Sequence, residues 1–180
     1  MRSPQVSRSG FSLVDVCMSM ALLVVGLGVL IGSTFSAMKL DQVNASTALA
    51  SQALRGLCEE MQAMPIEEVL DSYVVADDED ERTKAQKLAR LTLRDPSLAD
   101  RTGREPIARA RFPLDADGRT LREDLELPEF GLPRDLDGDG AIDAGDKRGL
   151  FRILPVVLEL DWEGPSGPQH LRVSTVLRRP

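Results

Sequence analysis

The chain has 180 residues, 42% of them hydrophobic and 28% charged, which is enough for one globular domain with an appendage. Its 22 lysines and arginines against 29 aspartates and glutamates leave a formal charge of -7. That balance argues against general nucleic-acid binding, because phosphate contact needs a basic surface. It suits a soluble exterior that binds metal or protein.

The charge is unevenly spread. Before residue 40 the basic side chains are Arg2, Arg8 and Lys39 and the only acid is Asp15, whereas the remainder is acidic. Met1 to Gly10 is short, polar and basic, and from Val16 to Ala37 there is no charge at all. That apolar length meets the roughly 20 residues needed to cross a bilayer core and exceeds the apolar region of a signal peptide. A cleavage site behind it is poor, because Phe35 falls where a small residue would be needed before Ala37. The arginines precede the span, so the positive-inside rule leaves the N-terminus cytoplasmic and exports the rest. Gly28 and Gly32 form a GxxxG, which fits close helix packing and equally the ordinary glycine content of membrane helices.

Helical patterning continues past the span. Val43, Ala50, Leu54, Leu57, Met61 and Met64 form a narrow apolar stripe, and no proline occurs until Pro65, which ends the run. A single helix from Phe11 to Met64 would be about 80 Å long, too long for a small domain unless half of it lies in lipid or in an assembly. Cys17 and Cys58 would then sit about 60 Å apart, far beyond disulfide reach.

Beyond Pro65, IEEVLDSY predicts one or two helical turns, and DDEDE (Asp77 to Glu81) a solvated loop. TKAQKLARLTL predicts a short helix with Leu88, Leu91 and Leu93 inward. Ala108, Ala110 and Phe112 alternate with arginines in the period of a strand, and Asp115 to Gly118 reads as a turn. The clearest strand signal is C-terminal, where Val156, Leu158, Leu160 and Trp162 share one face. After the turn residues GPSGPQ, Leu171, Val173, Thr175 and Leu177 share another. A hairpin over 153–178 that pairs Glu163 with His170 would set Asp161 opposite Arg172. His170, the only histidine, is expected at the surface or in a cross-strand pair. The fold class is therefore α+β, a long N-terminal helix packed on a small antiparallel sheet.

One segment has metal-ligand spacing. DLDGDGAIDAGD, Asp135 to Asp146, follows the calcium-loop pattern D-x-[DN]-x-[DN]-G, with an acid again at the twelfth place. Asp135, Asp137 and Asp139 take the first three ligand positions, Gly140 the sharp turn, Ala141 offers its carbonyl, and Asp143 and Asp146 complete the set. Its terminal Asp resembles dockerin-type loops more than those of intracellular sensors, and Gly131 and Pro133 make an entering helix improbable. Oxygen-only ligands favour Ca2+ over zinc or copper, in a structural role before the last hairpin. A solvated Asp/Gly turn is the competing reading. No Ser/His/Asp set, cysteine nucleophile or phosphate-binding glycine loop can be assembled, so no enzyme is expected.

The N-terminus, a basic leader ending in Gly10, then Phe11-Ser12-Leu13-Val14-Asp15 and an uninterrupted apolar helix, resembles type IV prepilins and type II secretion pseudopilins. The C-terminal hairpin is similar to the closing strands of many minor pilins. The resemblance implies cleavage by a prepilin peptidase after Gly10 and N-methylation of Phe11. It also implies that Asp15, at a position where the family usually has glutamate, pairs with the N-terminal amine of a neighbouring subunit. A charge inside a membrane helix is ordinarily partnered, which makes that acid intelligible. The implied organisation is a leader over 1–10, a membrane half-helix over 11–38, an amphipathic periplasmic half-helix over 39–64 and an α+β head over 65–180. The implied place is the bacterial inner membrane, single-pass with a periplasmic head, and then a filament. Implied partners are other pilins or pseudopilins, the peptidase and an inner-membrane assembly platform, with no nucleic acid. Two other readings remain: a membrane-anchored calcium-binding interaction module that does not polymerise, and a secreted protein with a long signal sequence.

Overall fold

In the computed structural model, which describes residues 13–76, 78–95, 98–99 and 103–179, the chain is α+β. In order come α1 (Leu13–Ala63), α2 (Ile66–Tyr73), α3 (Glu81–Leu91), β1 (Arg109–Arg111), a 3-10 turn (Pro128–Phe130), β2 (Ile153–Gly164) and β3 (Gly167–Arg178). The three strands form one antiparallel sheet in the order β1-β2-β3. The chain divides into two compact units, Met1–Gln42 and Val43–Pro180.

In the first unit the apolar side chains of α1 are exposed, Leu22 at 69% and Val29 at 68% among them. This stretch is long and apolar enough to cross a membrane, and none of that window is buried. Three of its hydroxyl side chains are satisfied within the helix. The hydroxyls of Ser19, Thr34 and Ser36 donate to the carbonyls of Asp15, Leu30 and Gly32, one turn earlier, at 2.7, 2.9 and 3.0 Å. Such back-bonding lets a hydroxyl sit on an apolar helix without a stranded donor.

In the second unit, hereafter the head, one face of α1 enters the core. Ala50, Leu54, Leu57, Cys58 and Met61 are buried, as is Ser46, while Leu49, Ala53 and Met64 are partly covered. The predicted stripe is thus present and widened by Cys58, because a helix face that packs on a sheet is broader than a two-residue seam. The helix stops at Ala63, just before Pro65. Ile66, Val69, Leu70 and Tyr73 of α2 join the same cluster with Leu154, Val156, Leu158, Leu160 and Trp162 of β2 and Leu177 of β3.

The acidic run before α3 has structural uses. Asp80 caps the helix, accepting from the Thr83 N–H at 3.0 Å, Asp78 pairs with Arg119, and Glu79 pairs with Lys87. Of the leucines expected inward near α3, Leu91 is buried and Leu93 partly so, but Leu88 is exposed. The inward face carries Lys87 instead, whose ammonium is held by the Val74 carbonyl and Glu79.

The hairpin forms with its predicted faces but in a different register. Glu163 lies opposite Pro168, Asp161 opposite His170 and Glu159 opposite Arg172. The reason is the turn: Gly164 pairs with Gly167, leaving only Pro165 and Ser166 to reverse the chain. Neither Pro165 nor Ser166 has a positive φ, so the return to the ladder falls to Gly167 just after the turn, at φ 111°, a value that only glycine adopts readily. A shift of two residues conserves the faces and changes every cross-strand partner. His170 consequently meets Asp161 at 2.7 Å. Arg172 reaches Glu129 at 2.6 Å, and Glu129 also accepts from Arg111 at 2.7 Å. These two guanidiniums, Arg172 foremost, hold the Glu129 carboxyl below its usual range.

Candidate cation site

The site is built by three stretches without regular secondary structure. Asp115 to Thr120 makes a tight turn in which Asp117 accepts from the N–H groups of Arg119 and Thr120 at 2.7 and 2.8 Å and from the Thr120 hydroxyl. These bonds, the hydroxyl's first, push the Asp117 carboxyl down to about 2. The turn closes on the bridge between Leu114 and Leu121. The chain then runs extended through Leu121 and Glu123, both fully buried. The acidic loop lies alongside: the Lys147 N–H donates to the Leu121 carbonyl at 2.9 Å and the Arg134 N–H to the Glu123 carbonyl at 3.1 Å. Leu136, also fully buried, pins the loop to the core, and its carbonyl accepts from Arg152 and Ile153 at the start of β2.

Within the loop, aspartates bond to nearby backbone. Asp135 accepts from Gly138 at 2.5 Å and from Gly140 at 2.9 Å, Asp137 from Asp139 at 3.1 Å, and Asp139 from Ala141 at 2.8 Å. Gly138 and Gly140 have φ of 77° and 87°, a conformation that side chains with a Cβ rarely adopt, which is why glycine occupies the bends.

The six residues predicted as ligands are not all brought together. Asp135 and Asp137 converge with Glu123, each offering a carboxylate oxygen within 4.8 Å of the others. Asp137 and Asp143 converge on the Lys147 ammonium at 2.9 and 3.1 Å. Asp139 is exposed and bonds only locally, and the Ala141 N–H is its donor. Asp146 accepts from the N–H groups of Leu121 and Arg148, both at 3.1 Å, and so ties the loop to the neighbouring extended segment.

Glu123 and Lys147 are the residues that loop spacing alone does not reveal. One Glu123 oxygen accepts from the Leu136 N–H at 2.9 Å; the other accepts from the Asp143 N–H at 2.9 Å and lies 3.1 Å from the Lys147 ammonium. Lys147 is only 5% exposed. Its hydrogen bonds, to Asp137 first and then Glu123 and Asp143, raise its pKa well above the usual lysine range against the opposing effect of burial. Lys147 in turn holds Asp137 below the carboxylate range, and Asp143 is lowered by the Gly145 N–H and then by Lys147. The signal for Glu123 was an acid at an inward position of an alternating run, Leu121-x-Glu123-x-Leu125, where an apolar side chain would be ordinary. The signal for Lys147 was a cation placed directly after five acids.

The predicted processing residues Gly10 and Phe11 lie outside the described residues. Asp15 is in the first turn of α1 and exposed, with no side chain paired to it among the described residues. Cys17 and Cys58 are both free. Comparison of the chain with known protein families, with curated proteins and with solved structures gives no match.

Proposed function

We propose that the chain is a minor pilin or pseudopilin, a structural subunit of a type IV pilus or of a type II secretion pseudopilus. The observation that carries this reading is α1 itself. One continuous helix, Leu13–Ala63, begins as an exposed apolar rod and ends with a face buried in an α+β head. An anchor alone needs only the first part. A filament subunit needs both parts, an apolar span and a helix face that joins the core of its head. The sequence before the helix supplies the processing signal, Gly10-Phe11, and α1 opens with Asp15, poised to receive a neighbour's N-terminal amine. In this reading the partners are other pilins or pseudopilins, a prepilin peptidase and an inner-membrane assembly platform.

The acidic loop holds a structural calcium ion in the same reading. Asp135 and Asp137 supply loop ligands, and Glu123, from outside the loop, lies together with them, whereas Asp146 ties the loop to the Leu121 and Arg148 N–H groups. An all-carboxylate set is the chemistry of a hard cation. Bound there, calcium would neutralise repelling acids and fix the segment that leads into β2.

Mass spectrometry of the mature N-terminus, on full-length chain made beside a prepilin peptidase, tests the assignment. A chain that begins with N-methylated Phe11 is expected. An intact Met1 would replace the pilin by a non-polymerising anchored module, and a start near Met38 by a secreted protein.

A further inference from the structure

We propose that Lys147 is an internal competitor for the cation of the acidic loop: calcium can take Glu123 and Asp137 only by displacing the lysine ammonium from them. This rests on the calcium reading above and adds how that site is regulated. Of the three acids placed to hold a metal, Glu123, Asp135 and Asp137, two already hold Lys147, at 3.1 and 2.9 Å. Asp143, a predicted ligand outside that triad, holds it too, at 3.1 Å. A divalent ion and an ammonium cannot share two carboxylates at hydrogen-bond distance without strong mutual repulsion, since both are cations in a poorly solvated place.

The arrangement has two states of comparable charge balance. With lysine inward, the loop is closed by a covalently attached monovalent cation. With calcium bound, Lys147 swings to solvent on its flexible stem. The exit is short: Lys147 begins one residue beyond the loop, its neighbours Asp146 and Arg148 are exposed, and Asp143, its third partner, has a side chain 53% exposed. The loop is therefore a low-affinity site, set for surroundings rich in calcium, and it remains folded where calcium is scarce.

Two measurements on the full-length chain in non-ionic detergent, stripped with a chelator and titrated with calcium chloride, decide the matter. In the natural chain, acylation of the Lys147 amine by an amine-reactive reagent, read by peptide mass spectrometry against exposed Lys39, is expected to rise severalfold on calcium saturation. In Lys147→Met, loss of the competing charge is expected to tighten calcium binding by about tenfold, because ligand charge sets affinity in such loops. Calcium binding of equal strength in both chains, or saturation that leaves Lys147 as protected as before, would overturn the competition while leaving the calcium site standing. No binding in either chain up to about 10 mM, beyond the range of extracellular calcium modules, removes the calcium reading and this inference with it. The acylation experiment needs no variant and stands if Lys147→Met fails to fold.

Discussion

Replacing Glu123 by alanine tests whether the head depends on a buried carboxylate. Glu123 is fully buried, and its two oxygens serve three donors: the Leu136 N–H, the Asp143 N–H and the Lys147 ammonium. Alanine strands both amides, each at a cost of about 1–3 kcal/mol if no water reaches it. Lys147 keeps Asp137 and Asp143, so its loss is less than the about 3–5 kcal/mol of a buried charge left wholly unpaired. The terms overlap, and a net loss of about 4 kcal/mol is expected. The assay is urea unfolding of the full-length chain in detergent, followed by the fluorescence of Trp162, the only tryptophan, buried in β2 at 6% exposure. At a slope of about 2 kcal/mol per molar urea, the midpoint should fall by about 2 M. Glu123→Gln keeps one acceptor and the shape, and should lose about half as much. A loss below about 1 kcal/mol for Glu123→Ala would refute the reasoning, because it would mean that the amides of Leu136 and Asp143 find other partners at little cost.

Leu54→Ala, at a fully buried position of α1, should cost about 2–5 kcal/mol in the same assay, whereas Leu30→Ala, at 66% exposure, should leave head unfolding unchanged. Equal effects would contradict the division of α1 into an exposed and a buried part. Gly167→Ala should cost about 1–3 kcal/mol, because φ of 111° is strained for any residue with a Cβ, and an unchanged midpoint would show that the turn relaxes freely. Asp117 titrates in the folded head at about 2, below the usual aspartate value, so it stabilises at neutral pH and that contribution fades as pH falls from about 4 towards 2. The stability difference between the natural chain and Asp117→Ala should therefore shrink over that interval, and a constant difference would sink the assignment.

The sequence by itself determined the parts that follow a period. The uncharged run Val16 to Ala37 dictated an apolar helix, the stripe from Ala50 to Met61 its buried face, and Pro65 its end. The alternation around Val156 to Trp162 dictated a strand with Val156, Leu158, Leu160 and Trp162 inward, although Val157 on its other face is buried as well. Periodicity depends on each element's own geometry, so it survives without knowledge of neighbours. Tertiary structure decided whatever depends on which segment meets which. The hairpin register went to a two-residue turn that six turn-forming residues left open. Leu88 lost its inward place to Lys87, because a carbonyl and a carboxylate were there to receive an ammonium. At the acidic loop, spacing picked out the aspartates and Gly140, but Asp146 was drawn to Leu121 and the centre was filled by Glu123 and Lys147. Those last two choices are electrostatic and long-range: a buried charge is tolerated only beside its counter-charge, and only the folded chain brings the two together.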